Sequence, residues 1–96
     1  MDWDDLRFFL ALARAGNVKG AARELGVDTS TVTRRIAALE ATAGRLFERV
    51  GASYAVSSLG KEMLAAAERV DAEMKRLARR LEHLGEGSST VRVSFP

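Results

Sequence analysis

Residues 28–37 read Asp-Thr-Ser-Thr-Val-Thr-Arg-Arg-Ile-Ala, a run dense in hydroxyls and guanidinium groups. Val32, Ile36 and Leu39 recur at helical spacing, so a helix here turns them inward. Thr29, Ser30, Thr33, Arg34 and Ala37 then point outward, and four of these five side chains can hydrogen-bond. This chemistry suits recognition: such groups fit base-pair edges and phosphates, and Ala37 leaves a flat place that a thymine methyl could touch. Free amides at a helix start also favour phosphate. Arg34 and Arg35 lie within the first two turns. Arg35 sits about 100° round the helix from Arg34. It is a second candidate for the same surface, or a partner for Glu24 or another acidic neighbour.

Catalytic chemistry has little to work with. The chain has no cysteine and one histidine, His83, so Cys-based or His-rich metal sites and disulfides are excluded. Glu40 and Glu48 have no nucleophile, metal set or phosphate loop beside them, so they do not read as a catalytic pair. The reading is of a non-enzyme without cofactors.

The recognition face needs elements to hold it. Leu6, Phe9, Leu10 and Ala13 mark a first helix over Trp3–Ala15, with Asp2 as its cap and Asp4 and Asp5 at the positive end of its dipole. Asn17 caps a short second helix with Val18, Ala21, Ala22 and Leu25 on one face. Gly26 ends it, and Lys19, at its second position, is a phosphate ligand or a free surface lysine. Asp28 or Thr29 opens the third helix, 29–43, which Gly44 closes. Gly16, Gly26 and Gly44 stand where left-handed caps belong. Ala22, Gly26, Val27 and Val32 are the small residue, turn and packing residues of a helix-turn-helix.

After Leu46 and Phe47, which read as core along with Trp3, Phe8 and Phe9, the pattern changes. Arg49-Val50 and Tyr54-Ala55-Val56 have strand propensity, and Gly51-Ala52-Ser53 reads as the turn between them. From Ser57 or Ser58 the chain is helical again to about Leu84. Met63, Ala67, Val70, Met74, Leu77, Leu81 and Leu84 alternate at spacings of four and three, a heptad seam. A rod of about 40 Å cannot bury that seam on a 57-residue headpiece, so the seam reads as a dimerisation surface between two copies. His83 falls beside the seam as a surface residue. Residues 85–96 read as a Gly/Ser linker followed by an alternating strand at Val91, Val93 and Phe95, the start of a further domain.

The chain has 96 residues, enough for one small domain. Its 47% hydrophobic content excludes a disordered charged tail, and no stretch is long and apolar enough for a membrane span. Net charge is only +2. A nucleic-acid binder with so few surplus cations must place them well. The acids gather at helix starts and on the rod, whereas Lys19, Arg34, Arg35 and Arg49 lie on or beside the proposed face.

In combination, AARELGV, the Ser/Thr-rich turn, VTRRIAALE and GRLFERVG, followed by VSSLG, resemble the N-terminal domain of LysR-type transcriptional regulators over about residues 4–84. The resemblance implies an all-α fold with a small β-hairpin wing: a winged helix-turn-helix over 1–57, then a dimerisation helix over 58–84. It implies sequence-specific binding of double-stranded, pseudo-palindromic DNA through Thr29, Ser30, Thr31, Thr33 and Arg34. Backbone contacts would come from Asn17, Lys19 and the wing, where Arg49, Ser53 and Tyr54 are the available groups. It further implies a cytoplasmic homodimer with antiparallel long helices, room for a tetramer of the full-length protein, and a small-molecule effector bound only by a later domain. Two departures stand out. Asp28-Thr29 replaces the family's frequent glutamine, so a bidentate glutamine–adenine contact is not available. The wing reads Gly51-Ala52-Ser53-Tyr54 where arginines are usual. The rival reading is a coiled-coil interaction module that binds no DNA.

Overall fold

The structure, a computed structural model, describes residues 1–87. The order is α1 (Trp3–Ala15), α2 (Val18–Leu25), α3 (Thr29–Ala43), β1 (Phe47–Val50), β2 (Ser53–Val56) and α4 (Ser58–Gly87). This is the mostly helical winged helix-turn-helix that the resemblance implies.

Local chemistry sets each boundary. Asp2 and Asp5 form a reciprocal capping box at α1: each side chain accepts from the other's backbone N–H at 3.0 Å. Asn17 caps α2 by accepting from Gly20 N–H at 2.6 Å, and Asp28 caps α3 by accepting from Thr31 N–H at 2.7 Å. Gly16 and Gly26 end α1 and α2 in the left-handed conformation. Gly44 differs from the expectation. Its φ of 103° and ψ of −180° lie outside the left-handed helical region, so it swings the chain outward into the approach to β1.

The core gathers one stripe from every helix. Phe9, Leu12, Val32 and Leu46 are its largest fully buried side chains, each contributing roughly 1.5–3 kcal/mol on transfer from water. Phe47 joins them, with its ring 5.3 Å from Phe9 and edge-on to Tyr54 at 6.2 Å. The hairpin pairs Phe47 with Val56 and Arg49 with Tyr54, antiparallel. It is longer than the sequence implied: Phe47 begins β1, and Ser53 belongs to β2 rather than to the turn.

A two-stranded hairpin is marginal by itself, and three tethers hold this one. Tyr54 N–H donates to the Gly16 carbonyl at 2.8 Å, and Ser57 N–H donates to the Leu46 carbonyl at 2.9 Å. The Glu40 carboxylate accepts from the backbone amides of Leu46 and Phe47 at 2.8 and 3.1 Å. The Ser57 hydroxyl then caps α4, accepting from Gly60 N–H at 3.0 Å while donating to the Arg45 carbonyl at 2.7 Å.

The long helix runs to Gly87 among the described residues, past the boundary at 84 and into the expected linker. It is also not separate from the headpiece. Met63 and Leu64 pack against the core, and Ala67 is 1% exposed. The Ala67 assignment to the dimer seam is therefore corrected: this chain's own headpiece covers it, because a methyl side chain lets α4 lie close. The strand expected at Val91, Val93 and Phe95 lies outside the described residues.

Candidate nucleic-acid interface

Helix α3 divides its residues by face. Val32, Ile36 and Leu39 are buried, which anchors the helix and fixes its rotation. Thr29, Ser30, Thr33, Arg34 and Ala37 are all exposed on the opposite side, and Thr31 is half-buried. Some of these hydroxyls already have partners. Ser30 donates to Asp28 at 2.8 Å, and Thr33 donates to the Thr29 carbonyl at 3.1 Å. Each retains acceptor capacity toward solvent. The Asp28 carboxyl is held below the usual carboxylate range, first by the Thr31 amide and then by the Ser30 hydroxyl, with Arg34 adding a favourable charge.

Arg34 and Arg35 separate. Among the described residues Arg34 enters no ion pair. Arg35 turns back toward α1. Its guanidinium lies 4.7 Å from the centre of the Phe8 ring and 3.4 Å from the Asp5 carboxylate. Arg35 thus fastens α3 to α1 and leans away from the outer face that carries Arg34. Glu24, the other partner considered, does not take it.

The start of α2, the outer face of α3 and the wing converge. Val18, Thr33, Ala37 and Tyr54 line one shallow depression of about 110 Å³, floored by Leu12, Val32 and Ile36. The Tyr54–Gly16 hydrogen bond ties the wing to the turn just before Asn17. Asn17 is exposed, but its carbonyl oxygen caps α2 and its amide donates to the Ala15 carbonyl at 3.2 Å. Lys19 is exposed on the first turn of α2 and, among the described residues, joins no ion pair. On the wing, the Arg49 guanidinium stacks 4.9 Å from the Tyr54 ring centre, and Ser53 is exposed. Among the described residues no group of His, Cys, Asp and Glu is arranged to hold a metal ion.

The seam residues divide as sharply. Met63 packs against the headpiece with Ala67, whereas Val70 (41%), Met74 (46%), Leu77 (51%) and Leu84 (61%) are exposed and Leu81 is half-buried.

Sequence reasoning missed several supports. Glu40, which does not read as catalytic, has the structural role of pinning the wing. Its signal was a carboxylate six residues before the Leu46-Phe47 plug. Arg14 reaches Glu68 at 2.6 Å and Asp71 at 3.0 Å, fastening α4 to α1. No spacing rule could show a pair more than fifty residues apart. Gly60 admits no side chain, since a Cβ there would lie 2.1 Å from the Leu46 carbonyl oxygen.

Residues 3–61 match the family described as bacterial regulatory helix-turn-helix protein, lysR family. The transcriptional regulator ClcR of Pseudomonas putida is 36% identical over 98 residues, covering 99% of this chain and 33% of the relative. TfdT of Cupriavidus pinatubonensis is 33% identical, covering 93% of this chain and 40% of its own length. The chain thus spans about a third of the length of such relatives. Among solved structures, the CbnR DBD–DNA complex superposes with a TM-score of 0.75 at 32% identity, covering 88% of this chain and 99% of that one. A BenM DBD–DNA complex with the catB site shares the fold at a TM-score of 0.80 and 22% identity, covering 91% and 95% of the two chains. With its helix-turn-helix, wing and long helix all accounted for, the chain belongs to the LysR family of bacterial regulatory helix-turn-helix proteins.

Proposed function

We propose that the chain binds double-stranded DNA as a dimeric transcriptional regulator, with α3 in the major groove. The observation that carries this is the division of α3: a fully buried back fixes a front of hydroxyls and one arginine, Arg34, which is exposed and, among the described residues, in no ion pair. Thr29, Thr33, Arg34 and Ala37 meet base edges. Ser30 and half-buried Thr31 extend that base-reading face at the start of the helix. Lys19 and the α2 amides beside Asn17 hold phosphate, since that N-terminus has a neutral cap. The α3 N-terminus is less suited to phosphate because Asp28 already occupies it with negative charge. Arg49, Ser53 and Tyr54 place the wing along the backbone or minor groove. Relatives named as transcriptional regulators, and a neighbour solved with DNA, support the reading.

The exposed distal seam supports a homodimer that addresses two half-sites of a pseudo-palindrome. Effector response, and any tetramer, belong to the remainder of a full-length protein. The chain's likeness to bacterial regulators supports a cytoplasmic location. Among the described residues no helix is long and apolar enough to cross a membrane.

Fluorescence anisotropy with family-type operator fragments across salt concentrations tests the proposal. Each neutralised phosphate contributes about −0.9 to the slope of log affinity against log salt. Arg34→Ala weakens operator binding strongly and leaves the dimer intact. Arg35→Ala acts on the stability of α3 rather than on the salt slope. An Arg34→Ala variant that binds like the wild type refutes the recognition face. Absence of binding at low salt by an intact dimer favours a coiled-coil interaction module instead.

A further inference from the structure

The residue that caps α3 has a second oxygen to offer. We infer that Asp28 determines base specificity as well as capping the helix: its outer carboxylate oxygen, Oδ2, accepts a hydrogen bond from an exocyclic amino group in the major groove, N4 of cytosine or N6 of adenine. This rests on the DNA reading above.

The two oxygens of Asp28 stand in different situations. Oδ1 takes both hydrogen bonds, from the Thr31 amide at 2.7 Å and from the Ser30 hydroxyl at 2.8 Å. Among the described residues Oδ2 takes none, and Asp28 enters no ion pair. The Thr31 side chain also favours the charged carboxyl, without a hydrogen bond to Oδ2. The residue is exposed. Capping needs one oxygen. The other is spare, on a side chain that two hydrogen bonds already hold in place, so little rotamer freedom is left to lose on binding.

An ionised carboxylate only accepts. The Thr31 amide first, and the Ser30 hydroxyl next, hold the Asp28 carboxyl below the usual carboxylate range, so it stays charged at neutral pH. The neighbouring hydroxyls are biased the same way. Ser30 commits its hydrogen to Asp28 and Thr33 commits its own to the Thr29 carbonyl, which leaves lone pairs to offer. No side chain from 28 to 33 carries an N–H group, and Arg34 is the first that does. Arg34 stands about 9 Å further along the helix axis. That exceeds the ~3.4 Å between base pairs, so acceptor and donor address different pairs.

In the major groove the donors are the amino groups of cytosine and adenine, whereas guanine O6 and N7 and thymine O4 are acceptors. Phosphate is disfavoured by like charge. Asp28 therefore acts by rejection as much as by attraction. Its charge weakens binding to every duplex, and the hydrogen bond offsets this only where an amino group stands opposite. Each base pair carries one amino and one carbonyl group on its major-groove edge, so Asp28 reads which strand holds cytosine or adenine. A net charge of only +2 gives the chain little general attraction for DNA to mask that choice.

Selection from a random-duplex library compares wild type with two variants that keep a good capping residue, Asp28→Asn and Asp28→Ser. Wild type enriches cytosine or adenine about tenfold over guanine or thymine at one base position. The share of cytosine against adenine identifies the amino group that is read. Asp28→Asn keeps an oxygen on the Thr31 amide and puts an NH2 group in place of Oδ2, so the preference there reverses to guanine or thymine. Asp28→Ser has no second atom, and the preference falls to within about twofold. The second arm alters the DNA. Replacing the selected cytosine by 2-pyrimidinone, or the selected adenine by purine, deletes only the amino group. In fluorescence anisotropy this weakens wild type about tenfold and leaves Asp28→Ser within about twofold of its own affinity. Unchanged preference in both variants overturns the inference, and so does wild-type affinity that survives loss of the amino group. Circular dichroism checks that α3 persists in the variants; where it does not, the amino-free duplex decides on wild type alone. Failure of wild type to enrich any sequence at low salt overturns the DNA reading itself.

Discussion

The first and second halves of α4 carry one continuous seam but meet opposite environments. Gly60, Leu64 and Ala67 lie against the headpiece, and Arg14 bridges to Glu68 and Asp71 there. From Val70 onward the apolar stripe faces solvent, interrupted only by half-buried Leu81. Heptad spacing states which residues share a face; it does not state what covers that face. A small residue in the seam is the point of transition, because a methyl at 67 lets two helices approach where a leucine would hold them apart.

Gly60→Ala tests the buried half most severely. Its methyl would have to displace the Leu46 backbone, and we expect a loss of about 3 kcal/mol in chemical denaturation. A variant as stable as wild type would show that α4 is not seated against Leu46. Ala67→Leu overpacks the same contact and should cost about 2 kcal/mol. Leu77→Asp, on the open half, leaves monomer stability within about 0.5 kcal/mol but shifts sedimentation toward monomer. Equal monomer destabilisation by both would erase the contrast between the halves.

Arg14→Ala tests the join at the transition. The Asp71 carboxyl is held below its ordinary range by Arg14 first and by Lys75 second. A depressed carboxylate stabilises the fold above its unfolded pKa of about 3.9 and loses that contribution as pH falls through the folded value. The variant should therefore melt earlier than wild type near neutral pH, by at most about 1 kcal/mol since Arg14 is half exposed. The difference should narrow as pH drops below about 4. A pH-independent difference would assign the effect to lost packing rather than to the ion pair. The smallest change is Gly85→Ala. Among the described residues nothing beyond the helix's own adjoining chain stands within 4 Å of a Cβ at that position, so we expect a gain of up to about 0.8 kcal/mol in helix stability by circular dichroism.

Adjacent arginines show the same division between pattern and packing. Arg34 and Arg35 are equivalent as residue types, and their spacing placed both near the front of α3. Only the position of α1 decides that Arg35 meets Phe8 and Asp5 while Arg34 stays open. Asp5 also closes the α1 capping box, so one carboxylate serves a local and a distant contact. Its place at the positive end of the α1 dipole was readable from the sequence, and its contact with Arg35 was not. Glu40 is similar. Its place on a helix was clear, but its acceptance of the Leu46 and Phe47 amides depends on the path that Gly44 gives the chain.

Local physics, within about a turn of each residue, determined much of this protein from sequence. Caps at Asp2, Asn17 and Asp28, glycine stops at 16 and 26, and inward apolar spacing define the first three helices and the open face of α3. Tertiary structure alone decided which cations remain available, what pins the wing and where the seam leaves the headpiece. Those outcomes depend on contacts between residues far apart in the chain, and a side chain's type and spacing do not specify its distant neighbour.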